Sequence, residues 1–143
     1  MQVTGYRAER IQRVIDLHYL TLAALLNWLM VVVAALWRVG ALAPAGLERA
    51  FGNRTHIPEA APAAARADRA AKNMTENMIL FAVVLAASRL GGADAHALAP
   101  GAAMFFWARV AYWPVYIVGI PYLRTVLWAT SLCGLLRIAI AGW

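Results

Sequence analysis

The chain has 143 residues, room for one domain, and 63% of them are hydrophobic while only 14% are charged; a soluble domain carries roughly 45–50% and about 25%. The net charge of +6 could suggest nucleic acid, but the cations flank apolar runs and form no basic patch, so lipid headgroups or an anionic ligand at the membrane surface fit better. The single cysteine, Cys133, excludes a disulfide framework and a cysteine-based metal site.

A membrane-spanning helix needs about 20 mostly apolar residues, and LHYLTLAALLNWLMVVVAALW, Leu17 to Trp37, meets that need despite His18 and Asn27. It is too long for a signal-peptide core and is followed by no convincing cleavage site, so it is expected to stay in the mature protein. Arg7, Arg10 and Arg13 recur at helical spacing ahead of it, which extends the predicted first helix to about 6–37. A loop follows over 38–63, marked by Pro44, Pro58, Pro62 and three glycines.

The predicted second helix runs from about 64 to 90, with a polar start and an apolar part from Met74 to Leu90. GGADAHALAPG reads as a break, with Gly91 and Gly92 as stop signals. The third helix is then expected over about 102–119 and the fourth over 122–141, joined by a connection so short that they form an antiparallel hairpin. No internal repeat is evident. Four spans place both termini on one side, and six cations on the first-loop side, Arg38, Arg49, Arg54, Arg66, Arg69 and Lys72, against Arg7, Arg10, Arg13 and Arg89 opposite, predict a cytoplasmic first loop. The acceptor patterns Asn53-Arg54-Thr55 and Asn73-Met74-Thr75 would then go unused.

Polar residues persist inside the second span. At about 100° per residue, Arg66, Arg69, Asn73, Glu76 and Asn77 fall within one arc of roughly 100°; Asp68 and Lys72 lie off it as an i, i+4 pair. An ionised carboxylate near lipid depth is unfavourable by about 2.5–3.5 kcal/mol unless paired or wet, so Glu76 needs a partner, and Arg109 in the third helix is the predicted one. That pair could serve only to fix helix packing. The polar set is larger, however: Tyr112 and Tyr116 follow Arg109 on its face, and Arg124, Thr125 and, one turn on, Trp128 open the fourth helix. Tyrosines near span ends often anchor at the interface, but these two share a face with a cation. Cations suited to carboxylates, a carboxylate suited to an ammonium and an amide suited to an amide together fit a small zwitterionic peptide.

These residues carry a resemblance. RADRAAKNMTE is similar to the second-helix pattern of the MAPEG family, the membrane-associated proteins in eicosanoid and glutathione metabolism, and ARVAYWPVYIVGIPYLRT resembles its third and fourth helices. The resemblance covers most of the chain from Arg66 to Thr125. It implies an all-α integral membrane protein, a four-helix bundle assembled as a homotrimer, with glutathione as cosubstrate between neighbouring subunits toward the cytoplasmic side. Arg69, Lys72 and Asn73 would hold the peptide's carboxylates and backbone, and Glu76 its amino group or neighbouring amide. Arg66, Tyr112, Tyr116 and Trp128 would line the same pocket, and Arg38 could reach it. Arg124 would stabilise the glutathione thiolate, with Thr125 or Tyr116 as hydrogen-bond donor.

The function so implied is a membrane-bound, glutathione-dependent transferase or peroxidase acting on a lipophilic electrophile or hydroperoxide, with membrane lipids as neighbours and neither metal nor haem; His18 is the only histidine in a span. Relatives often carry a proline where Leu80 stands, so the upper second helix is expected to be straighter. The long first loop and the Ala- and Arg-rich composition suggest a bacterial inner-membrane member. Two alternatives stay open: a lipid-binding protein without catalysis on the same fold, and a small proton-coupled exporter using Glu76.

Overall fold

The computed structural model describes residues 14–40 and 60–142, and these fold into four α-helices: α1 (Ile15–Arg38), α2 (Pro62–Leu90), α3 (Ala95–Val118) and α4 (Pro121–Ala141). The expected continuation of the first helix back to residue 6 lies outside the described residues, as does most of the first loop. Helices α2 and α3 are central; α1 packs on both, and α4 packs on both from the other flank, most extensively along α3.

The helix boundaries follow from local chemistry. Pro62 and Pro121 open α2 and α4 at the first helical position, where a missing N–H removes no helical bond and the fixed φ suits the turn. At the other end of α3, Gly119 takes φ +93° and its N–H bonds back to the Val115 carbonyl, a left-handed termination that glycine adopts without the steric penalty of a Cβ. The start of α3 corrects the sequence expectation. The helix begins at Ala95 and not near 102, because the Asp94 side chain accepts the His96 N–H at 3.0 Å and caps it. Pro100, which reads as a breaker, sits inside the second turn of α3.

The bundle interior is built from small and flat side chains. Ala67, Ala70, Ala71 and Met74 of α2 are buried near one end, and Phe81 of α2 stacks on Phe105 of α3 with centroids 4.2 Å apart at the middle. Met30 and Ala34 complete the core from α1. Gly101 and Gly134 bring the α3 and α4 backbones together: a Cβ at Gly101 would lie 2.8 Å from the Gly134 carbonyl oxygen, and one at Gly134 would lie 2.8 Å from the Gly101 carbonyl oxygen. Helices that cannot rely on water to drive them together associate through such close backbone approach.

The outside is apolar. Leu25, Trp28 and Val31 of α1, Ile79 and Val83 of α2, Trp107 of α3, and Val126, Leu136 and Ile140 of α4 are all exposed. Helices α1 and α4 are long and apolar enough to cross a membrane, and most of each apolar segment faces outward, which is not how the core helix of a soluble protein behaves. Ion pairs tie the ends: Arg89 of α2 reaches the fully buried Asp16 of α1 at 3.4 Å at one end, and Arg38 of α1 reaches Asp68 of α2 at 3.6 Å at the other.

Candidate functional site

The polar residues singled out on α2, α3 and α4 gather at the end of the bundle that carries the first loop and the α3–α4 turn, but they divide among three positions. The first is a seam between α2 and α3. Arg109 is completely buried, and its Nη1 donates to Oδ1 of Asn73 at 2.7 Å. Guanidinium nitrogens only donate, so the amide oxygen must face Arg109 and the Asn73 NH₂ is turned away from it. Asn77 supports this arrangement by donating its own amide to the Asn73 backbone carbonyl at 2.8 Å.

The predicted Glu76–Arg109 ion pair is therefore not formed. Glu76 lies on the far edge of the polar arc, about 60° round the helix from Asn73, and is exposed; no carboxylate pairs with Arg109 among the described residues, and its Nε and Nη2 lack partners. Arg109 is held instead between aromatic faces, 5.4 Å from the Phe105 centroid and 5.2 Å from that of Tyr112. Arg66, also on the polar arc, donates its Nε to the Ile117 carbonyl at 2.6 Å and packs against Gly119. It thus clasps the C-terminal end of α3, where unpaired carbonyls and the helix dipole favour a cation.

The second position is a groove of ≈ 650 Å³ between α1 and α2, lined at its polar end by Arg38, Asp68, Lys72, Thr75 and Glu76 and deeper by Val31, Ala34 and Ile79. Lys72 contacts Asp68 at 3.0 Å across one turn of α2, as the i, i+4 spacing predicts. Asp68 thus sits between two cations whose side chains remain half or more exposed, 51% for Arg38 and 68% for Lys72. The Thr75 hydroxyl lies within hydrogen-bond reach of two acceptors, Asn27 Oδ1 at 3.0 Å and the Ala71 carbonyl at 3.1 Å, and its one hydrogen serves either. Asn27, which composition marks only as a polar residue tolerated in an apolar run, and Asp68 were not among the candidate binding residues; the contact of α1 with α2 is the signal that brings them in. Arg69 is exposed and makes no ion pair among the described residues.

The third position is a pocket of ≈ 240 Å³ lined by Tyr112, Tyr116, Arg124, Thr125 and Trp128. All five were candidates from the sequence, and the α3–α4 hairpin brings them together. Arg124 stacks over the Tyr116 ring at 4.8 Å, and Tyr116 lies 5.3 Å from Tyr112. An unbroken ladder of contacts therefore runs from Asn73 through Arg109, Tyr112 and Tyr116 to Arg124. The Thr125 hydroxyl donates to the Pro121 carbonyl at 3.1 Å, whereas the Tyr116 hydroxyl makes no hydrogen bond among the described residues.

This pocket and the α1–α2 groove share no lining residue, so the chain presents a cationic cradle and an arginine–tyrosine pocket on separate faces. The MAPEG family model matches residues 17–142, nearly the whole chain. The protein belongs to the MAPEG family. Neither the comparison with curated proteins nor that with solved structures gave a match. MAPEG proteins are membrane-associated, and the family includes glutathione-dependent transferases and peroxidases. The donor set agrees with that chemistry. Arg38, Lys72, Arg69 and Arg124 leave cationic surface toward solvent, and the Asn73 amide presents N–H groups, which suits the two carboxylates and peptide carbonyls of a tripeptide such as glutathione.

Proposed function

We propose that this MAPEG protein is a glutathione-dependent transferase or peroxidase of lipophilic electrophiles, working as a homotrimer whose sites are completed between protomers. The observation that carries the reading is the separation of the two polar faces. One protomer's groove holds the peptide's carboxylates near Arg38, Lys72 and Arg69, while the neighbour's pocket presents Arg124, Tyr116 and Tyr112 to the sulfur. Either face alone would leave polar side chains against lipid, where ionised groups are unfavourable; docked on each other, they enclose a small anionic ligand.

The chemistry required of the chain is modest. A free thiol has a pKa of about 8.5, and a fixed cation beside it favours the thiolate, each unit of depression being worth about 1.4 kcal/mol. Arg124 supplies that cation, and its stacking on Tyr116 holds it in one orientation. Tyr116 is the donor placed to hydrogen-bond the sulfur, because the Thr125 hydrogen is already directed to Pro121. In conjugation the thiolate attacks the electrophilic carbon and a leaving group departs with the bonding pair; in peroxide reduction it attacks the distal oxygen, the O–O bond breaks, the departing alkoxide takes a proton, and a second glutathione thiol converts the resulting sulfenic acid to disulfide and water. The apolar exterior gives the electrophile a route from the bilayer, and the excess of loop-side cations supports a cytoplasmic site by the positive-inside rule.

Purified protein in detergent or lipid should bind glutathione by calorimetry and conjugate it to an aromatic halide or reduce a lipid hydroperoxide. Arg124→Ala should lower kcat by about 10²–10³-fold, the range for removing one group that stabilises developing negative charge. Equal rates for the two proteins would remove Arg124 from the mechanism, and absence of glutathione binding would remove the reading altogether.

A further inference from the structure

At the end of the bundle opposite the glutathione site, a groove of ≈ 570 Å³ runs between α3 and α4, lined by Ala97, Met104, Leu136 and Ile140 with Arg137 among them. Arg137 is exposed and makes neither an ion pair nor a hydrogen bond among the described residues. It lies four residues before the end of α4, about 6 Å in from the helix terminus. α4 is one of the two helices apolar enough to cross the membrane. An unpaired cation at that depth is unfavourable unless its stem lies along apolar surface and its head reaches an anion or water.

Among the described residues the other arginine of this end is engaged: Arg89 pairs with Asp16. Among the described residues Arg137 thus stands as a positive charge without a counter-ion, beside an open apolar trough. The trough extends from Ala97 to Met104 on α3 and from Cys133 to Ala141 on α4, roughly 10–12 Å along each helix axis. A single-chain apolar ligand without charge would leave Arg137 unpaired, and a soluble anion would leave the trough exposed.

We propose that this groove is a binding site for an anionic phospholipid, with the headgroup phosphate on the Arg137 guanidinium and one acyl chain along Met104, Leu136 and Ile140. The charge complementarity is specific in kind: a guanidinium forms paired, charge-assisted hydrogen bonds to phosphate oxygens, and a zwitterionic headgroup offers the same phosphate together with a cation that Arg137 repels. The site requires only that α4 cross the bilayer and is independent of the glutathione reading.

Native mass spectrometry of the protein released from mixed phosphatidylglycerol and phosphatidylcholine bilayers tests it. The wild type should retain phosphatidylglycerol preferentially, Arg137→Gln should lose at least tenfold of that preference, and Arg137→Lys should keep most of it. Helix content by circular dichroism confirms that each variant is folded. Equal retention of the two lipids by the wild type, or an unchanged preference in Arg137→Gln, overturns the proposal. So does preference for free glycerol phosphate equal to that for the lipid, which would mean an anion site without the trough. Because Cys133 is the only cysteine, oxidation in the membrane supplies a further arm: an efficient Cys133 disulfide between two copies would show the trough to be covered by protein and not by lipid.

Discussion

At the residue scale, the decisive geometry is that Asn73, and not Glu76, meets Arg109. Both residues lie on the polar arc of α2 legible in the sequence, but they differ by less than a turn, and periodicity does not say which one faces α3. Charge argues for the carboxylate; packing selects the amide, because α2 turns Asn73 toward α3 and leaves Glu76, about 60° round the helix, toward α1. Glu76 is left on the groove side with Arg38 and Lys72, where it can meet an ammonium. The buried Arg109 then orients Asn73. Arg109→Met removes the charge while keeping much of the volume, and substitution of buried ionic groups by apolar ones of similar size is often near neutral for stability. Thermal unfolding should therefore shift by only a few degrees while the glutathione Kd rises severalfold. Arg109→Ala, which also opens a cavity, should destabilise the fold by about 3 kcal/mol.

At the scale of elements, the sequence reveals four helices in the right order, and it places α2 and α4 within two residues of their observed limits. It misjudges α3. Pro100 and three nearby glycines look like a connection, but a proline in the second turn removes only one helical hydrogen bond, and the Asp94 cap together with the α4 packing outweighs it. The same segment hides Gly101, whose role is visible only once Gly134 is opposite. Gly134→Val would force Gly101 and Phe105 away and should lower stability by about 1–3 kcal/mol, the usual effect of overpacking, read as a lower unfolding midpoint in detergent. Gly119→Ala should lower it by about 1–2 kcal/mol through the left-handed backbone alone, and should also loosen the Arg66 clasp on the end of α3.

At the scale of the whole molecule, family membership was legible from two short motifs because they carry the polar residues that a membrane protein keeps only at some expense in stability. The grouping of those residues into two faces was not legible, since it depends on how α1 lies against α2 and α4 against α3. If sites form between protomers, a protein lacking the cradle and one lacking the thiolate arginine should complement each other. Co-assembled Lys72→Ala/Arg38→Ala and Arg124→Ala chains should recover about a quarter of wild-type activity, the share of mixed interfaces with both halves intact. Separate preparations mixed without subunit exchange should remain inactive. A site contained within one protomer would give no recovery in either case.

The meeting of Gly101 with Gly134 has an effect far from where it occurs. Two backbones interlocked like gear teeth cannot slip by a residue, so the helices keep their alignment all the way to the turn. Tyr116 stands about 22 Å up α3 from that notch, and the alignment of its ring with Arg124 is set from the opposite half of the bundle. A mutational survey confined to the neighbourhood of Arg124 would overlook the two smallest side chains that keep it in register with Tyr116.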